Sequence, residues 1–202
     1  TSATSSATSL TVLPSTKLTP AAMTAAPGRT MSAVIIPPEP AAKADLPPLL
    51  QGFGAVPPLV SDIDLSMDDR HLYVSCWGTG EMRQYDVTDP RRPRLTGSVH
   101  IGGIARRTPH PNGKRYAGGP QMVEVSRDGR RVYWTNSLYS TWDEQFYPGD
   151  LPGAQVMAEA SPSGGLQLAR DFWVDFPDGY RAHQVRLEGG YCSTDSFCYP
   201  SA

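Results

Sequence analysis

The side chains of this 202-residue chain best suited to bind a metal or to react with a thiol are its four histidines and three cysteines. Imidazole binds copper, iron and zinc alike, so histidine alone does not select the metal. No two histidines have the close spacing of a self-contained metal site. The four are His71, His100, His110 and His183. A metal site that uses any of them therefore needs ligands from distant parts of the protein.

Three of the histidines lie in predicted turns or loops. His71 follows Arg70 in a turn, and we expect its side chain to be exposed. His100 and His110 flank a loop rich in Gly, Pro and Arg. His110 stands between two prolines, so we interpret it as an exposed loop histidine, with a position near the mouth of a channel as the alternative.

The cysteines favour structural roles. We interpret Cys76 as a small apolar side chain within a sheet. Cys192 and Cys198 could pair, but an odd number of cysteines favours reduced thiols in a cytoplasmic protein. No neighbouring Lys or His would lower their pKa values, so thiol chemistry is the less favoured interpretation.

A polar and aromatic cluster at 142–147 contains Trp142, Asp143, Glu144 and Tyr147. It could line a pocket for a small thiol. The favoured alternative is a structural loop with Trp142 in the core. The sequence has no Ser-His-Asp arrangement, phosphate-binding glycine loop or Cys-x-x-Cys pair.

An internal repeat indicates the elements that carry these residues. The segments 63–75 and 123–135 share the pattern apolar, acidic, apolar, Ser, any, Asp, Asp or Gly, Arg. Alternating apolar residues around a Ser-x-Asp turn predict a β-hairpin in each copy. Segments 81–87 and 95–101 predict two further strands after the first copy.

Repeated hairpins at this spacing favour an all-β fold, a partial β-propeller, over an ordinary two-hairpin sandwich. The predicted folded part, residues 33–202, has room for roughly three to four blades of about 40 to 50 residues. The open edges of such an arc predict self-association. Residues 1–32, rich in Thr, Ser, Ala and Pro, are predicted to be disordered, with one short strand at 10–13 as the alternative.

Composition excludes several classes of protein. The formal net charge is −2, which gives no field that would attract nucleic acid. No apolar stretch is long enough to span a bilayer, and no signal peptide is evident. We therefore expect a cytoplasmic protein, and the first residue, Thr1, predicts a fragment or a processed product.

Several long segments resemble the selenium-binding protein family. They lie at 61–77, 80–90, 93–97, 118–122, 135–148 and 182–186. The first reads SDIDLSMDDRHLYVSCW, the fifth TNSLYSTWDEQFYP and the last AHQVR. The resemblance covers residue 33 to the C-terminus. The sequence departs from the family at Gln184, where Glu is common, and at Tyr191, where Asp is usual.

This resemblance implies the C-terminal blades of a seven-bladed β-propeller. It also implies a copper-dependent methanethiol oxidase, which converts methanethiol, oxygen and water to formaldehyde, hydrogen sulfide and hydrogen peroxide. His183, in the matched AHQVR segment, is then the candidate metal ligand on an inner strand, with a buried histidine bonded to backbone as the alternative. Selenium would be bound through a cysteine of the absent N-terminal part. A non-catalytic module that binds selenium or a protein partner, or an inactive fragment, remains the alternative function.

Overall fold

The computed structural model describes residues 9–14, 31–149, 151–188 and 190–192. Its strands are β1 (Ser9–Pro14), β2 (Met31–Ile36), β3 (Glu39–Pro40), β4 (Ala55–Val56), β5 (Val60–Leu65), β6 (His71–Cys76), β7 (Glu81–Asp86), β8 (Arg94–His100), β9 (Val123–Val125), β10 (Arg131–Thr135), β11 (Ala154–Ala160) and β12 (Leu166–Asp175). Two single-turn 3₁₀ helices lie at Lys43–Asp45 and Pro48–Leu50. One α-helix, α1, spans Ser140–Phe146.

The first sheet is an antiparallel meander in the order β5-β6-β7-β8. Its first hairpin turns at Ser66, whose hydroxyl accepts a hydrogen bond from the His71 amide (2.9 Å) and donates one to Asp68 (2.6 Å). Asp69 takes the left-handed backbone conformation with φ of 56°. Asp tolerates that conformation better than most residues, which explains its place in the turn.

The second sheet repeats this plan in the order β9-β10-β11-β12. Ser126 accepts from the Arg131 amide (3.1 Å) and donates to Asp128 (2.5 Å). Gly129, with φ of 68°, stands where the first copy has Asp69. The predicted repeat of hairpins is therefore confirmed, together with the strands predicted at 81–87 and 95–101.

The main core lies between the two sheets. The first strands of the two sheets, β5 and β9, are in contact, and so are their last strands, β8 and β12. The two sheets therefore pack against each other. The apolar layer between them includes Tyr73, Met82, Val125, Trp134 and Val156, all buried. This layer fixes the two sheets relative to each other, and the candidate site lies on and beside their strands.

The opposite face of the first sheet is covered by β2. Ile36 packs with Leu72, Val74 and Tyr85 in a second buried cluster. β2 also pairs in parallel with β1, so a strand is present where the alternative prediction placed one, at 10–13. The remainder of the segment predicted to be disordered, apart from the start of β2, lies outside the described residues.

The all-β prediction is confirmed, since α1 is a short exception. The estimate of three to four blades is not matched in the described part of the chain, which holds two four-stranded sheets and the pairs β1-β2 and β3-β4. The loop predicted at 142–147 is mostly α1. None of the helices in the described ranges is long and apolar enough to cross a membrane.

Candidate functional site

His183 lies outside any strand, in the segment that follows β12, and its side chain is exposed. The predicted position of His183 on an inner strand is therefore wrong, and so is the alternative of a buried side chain. The ring is nevertheless bonded to backbone, because Nδ1 lies 3.2 Å from the Leu138 carbonyl oxygen. The Thr135 hydroxyl donates to the His183 carbonyl oxygen (3.1 Å), which attaches this segment to the end of β10.

The contact with Leu138 determines which ring nitrogen of His183 carries the proton. A carbonyl oxygen only accepts hydrogen bonds, so Nδ1 is the donor in this contact. The neutral ring then has its lone pair on Nε2. Metal-binding histidines commonly donate their other ring N–H to a backbone carbonyl in this way. His183 thus has its Nε2 lone pair available to bind a metal ion.

Two carboxylates of β5 face the second sheet. Asp62 accepts a hydrogen bond from the Val123 amide (2.8 Å), and Asp64 accepts one from the Val125 amide (3.0 Å). β9 is an edge strand, so these amides have no ladder partner on that side. Alternate residues of a strand share a face, which is why the two carboxylates match two alternate amides. Ser61 extends the same contact by donating to the Gln121 carbonyl oxygen (3.0 Å).

Asp62 combines this structural role with unusual acidity. Burial raises the pKa of its carboxyl from 3.8 to about 6, opposed by the hydrogen bond from Val123. The neighbouring Asp64 raises the pKa further, and His183 lowers it. A carboxyl of this kind can exchange a proton near neutral pH. Asp62 was not among the predicted site residues, although the acidic position of the repeat, two residues later, lies on the same strand.

The other histidines lie apart from His183. His110 is buried, not exposed; Nδ1 accepts from the Asn112 amide (3.3 Å), and its ring packs edge-on against Trp173 (5.2 Å between ring centres). His100 has Nε2 4.0 Å from Glu81, and burial lowers its pKa. His71, predicted to be exposed, is half-buried at the start of β6.

No group of three or more His, Cys, Asp or Glu side chains in the described ranges could hold a metal ion. The described donors therefore do not fit a complete copper site. His183 would supply at most one imidazole ligand to such a site.

The cysteines in the described residues are inaccessible. Cys76 is fully buried, and burial raises the pKa of its thiol to about 12. Such a thiol carries almost no thiolate at neutral pH and is a poor nucleophile. Cys192 is also fully buried, with Sγ 3.5 Å from the Ser126 carbonyl oxygen. Cys198 lies outside the described residues, so the favoured interpretation of reduced thiols and the alternative of a Cys192–Cys198 pair both stay predictions.

The cluster at 142–147 divides into buried and exposed parts. Asp143 is fully buried and Phe146 nearly so, whereas Trp142 is 37% exposed. The prediction of Trp142 in the core is therefore wrong, because α1 turns Asp143 and Phe146 inward instead. The Tyr147 hydroxyl donates to the Trp77 carbonyl oxygen, which ties the end of α1 to the first sheet.

A cavity of about 420 Å³ lies beside α1. Leu46, Ile104 and Phe146 line it together with Arg107 and Arg115. Neither His183 nor Asp62 lines this cavity. A small molecule bound there would therefore not touch the imidazole or the raised carboxyl.

Curated relatives of this chain carry two kinds of name. Methanethiol oxidases of Pongo abelii and Homo sapiens are each 46% identical over 164 residues, and selenium-binding protein 2 of Mus musculus is 44% identical over the same length. Each match covers 69% of this chain and 35% of the relative. The chain thus spans about a third of the length of these relatives.

A solved structure also matches this chain. The X-ray structure of a hypothetical selenium-binding protein from Sulfolobus tokodaii matches with a TM-score of 0.77 and 59% sequence identity. The match covers 82% of this chain and 36% of that one. The family model of the 56-kDa selenium-binding proteins matches residues 23–198, well over half of the sequence. This chain therefore belongs to the 56-kDa selenium-binding protein family.

Proposed function

We propose that this chain forms the C-terminal blades of a copper-dependent methanethiol oxidase, with His183 as one metal ligand. The reaction is CH₃SH + O₂ + H₂O → HCHO + H₂S + H₂O₂. The methyl carbon loses two electrons and becomes the carbonyl carbon of formaldehyde, while oxygen gains two and leaves as peroxide. Water supplies the carbonyl oxygen, and sulfur leaves as hydrogen sulfide. Copper would supply the electron-transfer centre when bound.

The observation that carries this proposal is the geometry of the His183 ring. Its Nδ1 is bonded to the Leu138 carbonyl oxygen, so Nε2 of this exposed residue is available to bind a metal. The donor set of the described residues is incomplete, and the other ligands would come from blades beyond this part of the chain. The names of the curated relatives support methanethiol as the substrate.

Asp62 is proposed as a proton acceptor, and the charge of His183 acts on its carboxyl by lowering the pKa. Its carboxyl, with a pKa of about 6, is mostly ionised at neutral pH and can take up a proton released from a thiol or water. The position on β5, beside the second sheet, gives it a fixed orientation through the Val123 amide.

The proposed ring has seven blades. Two antiparallel four-stranded meanders packed side by side support a propeller, since this is the form of its blades. The match to only about a third of the relatives' length is consistent with a ring that other segments complete. In isolation such an arc would expose apolar flanks and self-associate.

The test is elemental analysis of the purified chain after loading with copper, compared with His183→Ala and with His71→Ala as a control. Because the described donors supply only one imidazole to the site, we expect weak, substoichiometric copper in the wild type and in the control, and its loss in His183→Ala. Equal copper in all three would overturn the role of His183. No copper in any of them would overturn the proposal that this chain holds the metal.

The oxidase activity needs its own test. We expect methanethiol consumption to yield hydrogen sulfide and hydrogen peroxide in equal amounts, and Asp62→Asn to lower the rate without loss of copper. A copper-loaded, folded chain that produces neither product would leave the copper site standing and would favour the alternative of an inactive fragment.

The second candidate is a non-catalytic module that binds selenium, as the name of the mouse relative suggests. The described cysteines do not favour it, because both thiols are buried and that of Cys76 has a pKa raised to about 12. Selenium bound by this chain with the same stoichiometry after replacement of all three cysteines by serine would indicate a thiol-independent site and would favour the module.

A further inference from the structure

We propose that Asp143 is a positioning residue that fixes the orientation and tautomer of His183. As far as it concerns metal binding, this inference rests on the proposed function. Asp143 does not touch the imidazole. It acts through the two chain segments between which the ring is held: the residues after β10, which supply the carbonyl acceptor, and the residues after β12, which carry His183.

The first segment is fixed through Leu138. One carboxylate oxygen of Asp143, Oδ1, accepts a hydrogen bond from the Leu138 amide (3.1 Å), and the other, Oδ2, accepts one from the Ser137 hydroxyl (2.5 Å). The carbonyl group of Leu138, on the far side of the same residue, faces Nδ1 of His183. Because these two hydrogen bonds join Asp143 to adjacent residues, they restrict rotation of the backbone that orients this carbonyl.

The second segment is fixed through Arg181, two residues before His183. Nη1 of Arg181 lies 3.2 Å from Oδ2 of Asp143 and donates to the Leu151 carbonyl oxygen at 2.8 Å. Residue His183 is bonded in turn by the Thr135 hydroxyl. The same carboxylate is therefore connected to the ring's acceptor and to the backbone that carries the ring.

Burial makes this arrangement strict. Asp143 has no solvent exposure, so water cannot replace a lost partner. A buried carboxylate requires a cation and hydrogen-bond donors, and Arg181, Ser137 and Leu138 supply them. We infer that the pair Asp143–Arg181 and the bond from Nδ1 to Leu138 form together, which leaves Nε2 as the outward lone pair.

The experiment measures the tautomer directly, without metal. Long-range ¹H–¹⁵N spectra of the full chain, labelled at histidine, distinguish a protonated Nδ1 from a protonated Nε2. At a pH where the imidazole is neutral, we expect the wild type to show His183 protonated at Nδ1. Asp143→Asn removes the charge that holds Arg181, and we expect a mixture of the two tautomers.

The matched control is Asp128→Asn. Asp128 accepts a similar bond from Ser126 (2.5 Å) but lies in the second hairpin turn, remote from His183 in the hydrogen-bond network. We expect this variant to keep the wild-type tautomer. If Asp143→Asn does not fold, Arg181→Gln tests the same connection, since it leaves the Ser137 and Leu138 bonds in place. A single protonated Nδ1 in every folded variant of the pair would overturn the inference.

Copper binding separates this inference from the proposed function. Loss of an outer hydrogen-bond partner of a metal-binding histidine weakens metal affinity by about 10 to 100-fold, so we expect Asp143→Asn to bind copper that much more weakly. A tautomer that changes in a chain without copper affinity would support the positioning role and reject the proposed metal site. A weaker copper affinity with an unchanged tautomer would reject the positioning role alone.

Discussion

The two hairpins of the repeat share a turn but differ in what lies beside their first strands. Both turns are closed by a serine hydroxyl that bonds an amide and an aspartate. β5 then uses Asp62 and Asp64 to bond the edge amides of β9. In the second copy, Met122 takes the position that corresponds to Asp62, and the nearby end of β10 is bonded instead to the segment that carries His183. Local sequence thus determines the turn, whereas the element packed beside the hairpin determines the role of its first strand.

The largest expected effect comes from the shared turn. Ser66→Ala and Ser126→Ala each remove a buried hydroxyl that bonds both an aspartate and a backbone amide. We expect each variant to lose about 1 to 2 kcal/mol of unfolding free energy. Urea denaturation of both variants measures this, with exposed Ser163→Ala as the control. Losses that differ severalfold between the two would contradict the idea of equivalent turns.

The next effect concerns the strand that differs. The pKa of Asp62 is higher in the folded chain than the ordinary value of 3.8, so the folded state holds this proton more tightly. The contribution of Asp62 to stability is therefore most favourable below pH 4 and declines as the pH rises through 6. Asp62→Asn removes this decline, and we expect it to gain about 1 kcal/mol relative to wild type between pH 4.5 and pH 7.5.

The control for Asp62 is Asp68→Asn. The hydrogen bond from Ser66 lowers the pKa of Asp68, so this carboxylate stabilises the fold above its ordinary pKa and loses that contribution as the pH falls. That loss falls below about pH 4, so between pH 4.5 and pH 7.5 we expect Asp68→Asn to keep a nearly constant difference from wild type. Urea titrations at both pH values measure the two variants, and an equal change with pH in both would disprove the assignment for Asp62.

The smallest expected effect lies at the left-handed residue of the first turn, and the change at its counterpart in the second turn has the opposite sign. Asp69→Gly relieves a positive φ of 56°, and we expect a gain of a few tenths of a kcal/mol. Gly129→Ala imposes a side chain at a φ of 68°, and we expect a loss of about 1 kcal/mol. Thermal unfolding of the two variants should give shifts of opposite sign. Equal signs would show that the turns are not equivalent in backbone strain.

The repeat predicted what is local. The Ser-x-Asp turn, the alternation of apolar residues and the four strands of the first sheet follow from residues close in sequence, and all are found. The same reasoning misplaced Trp142, because which side of α1 faces inward depends on the segment packed against it.

The site was predicted only in part, for a related reason. The AHQVR segment pointed to His183, but its carbonyl partner is 45 residues away and the connection through Asp143 and Arg181 spans 38. The buried His110 was likewise mistaken for an exposed loop residue, because its cover comes from Trp173 on β12. Contacts of this length arise from the packing of distant segments and leave no local pattern in the sequence.

The carboxylates of β5 also have a consequence for hydrogen exchange. The amides of Val123 and Val125 belong to an edge strand, where rapid exchange with solvent deuterium would be ordinary, yet Asp62 and Asp64 occupy them. These two amides should exchange slowly while the carboxylates stay in place. Amides that are already bonded are also poorly available to a strand from another chain. Because the bonds to β9 come from side chains of β5 and not from its backbone, the two sheets stay separate.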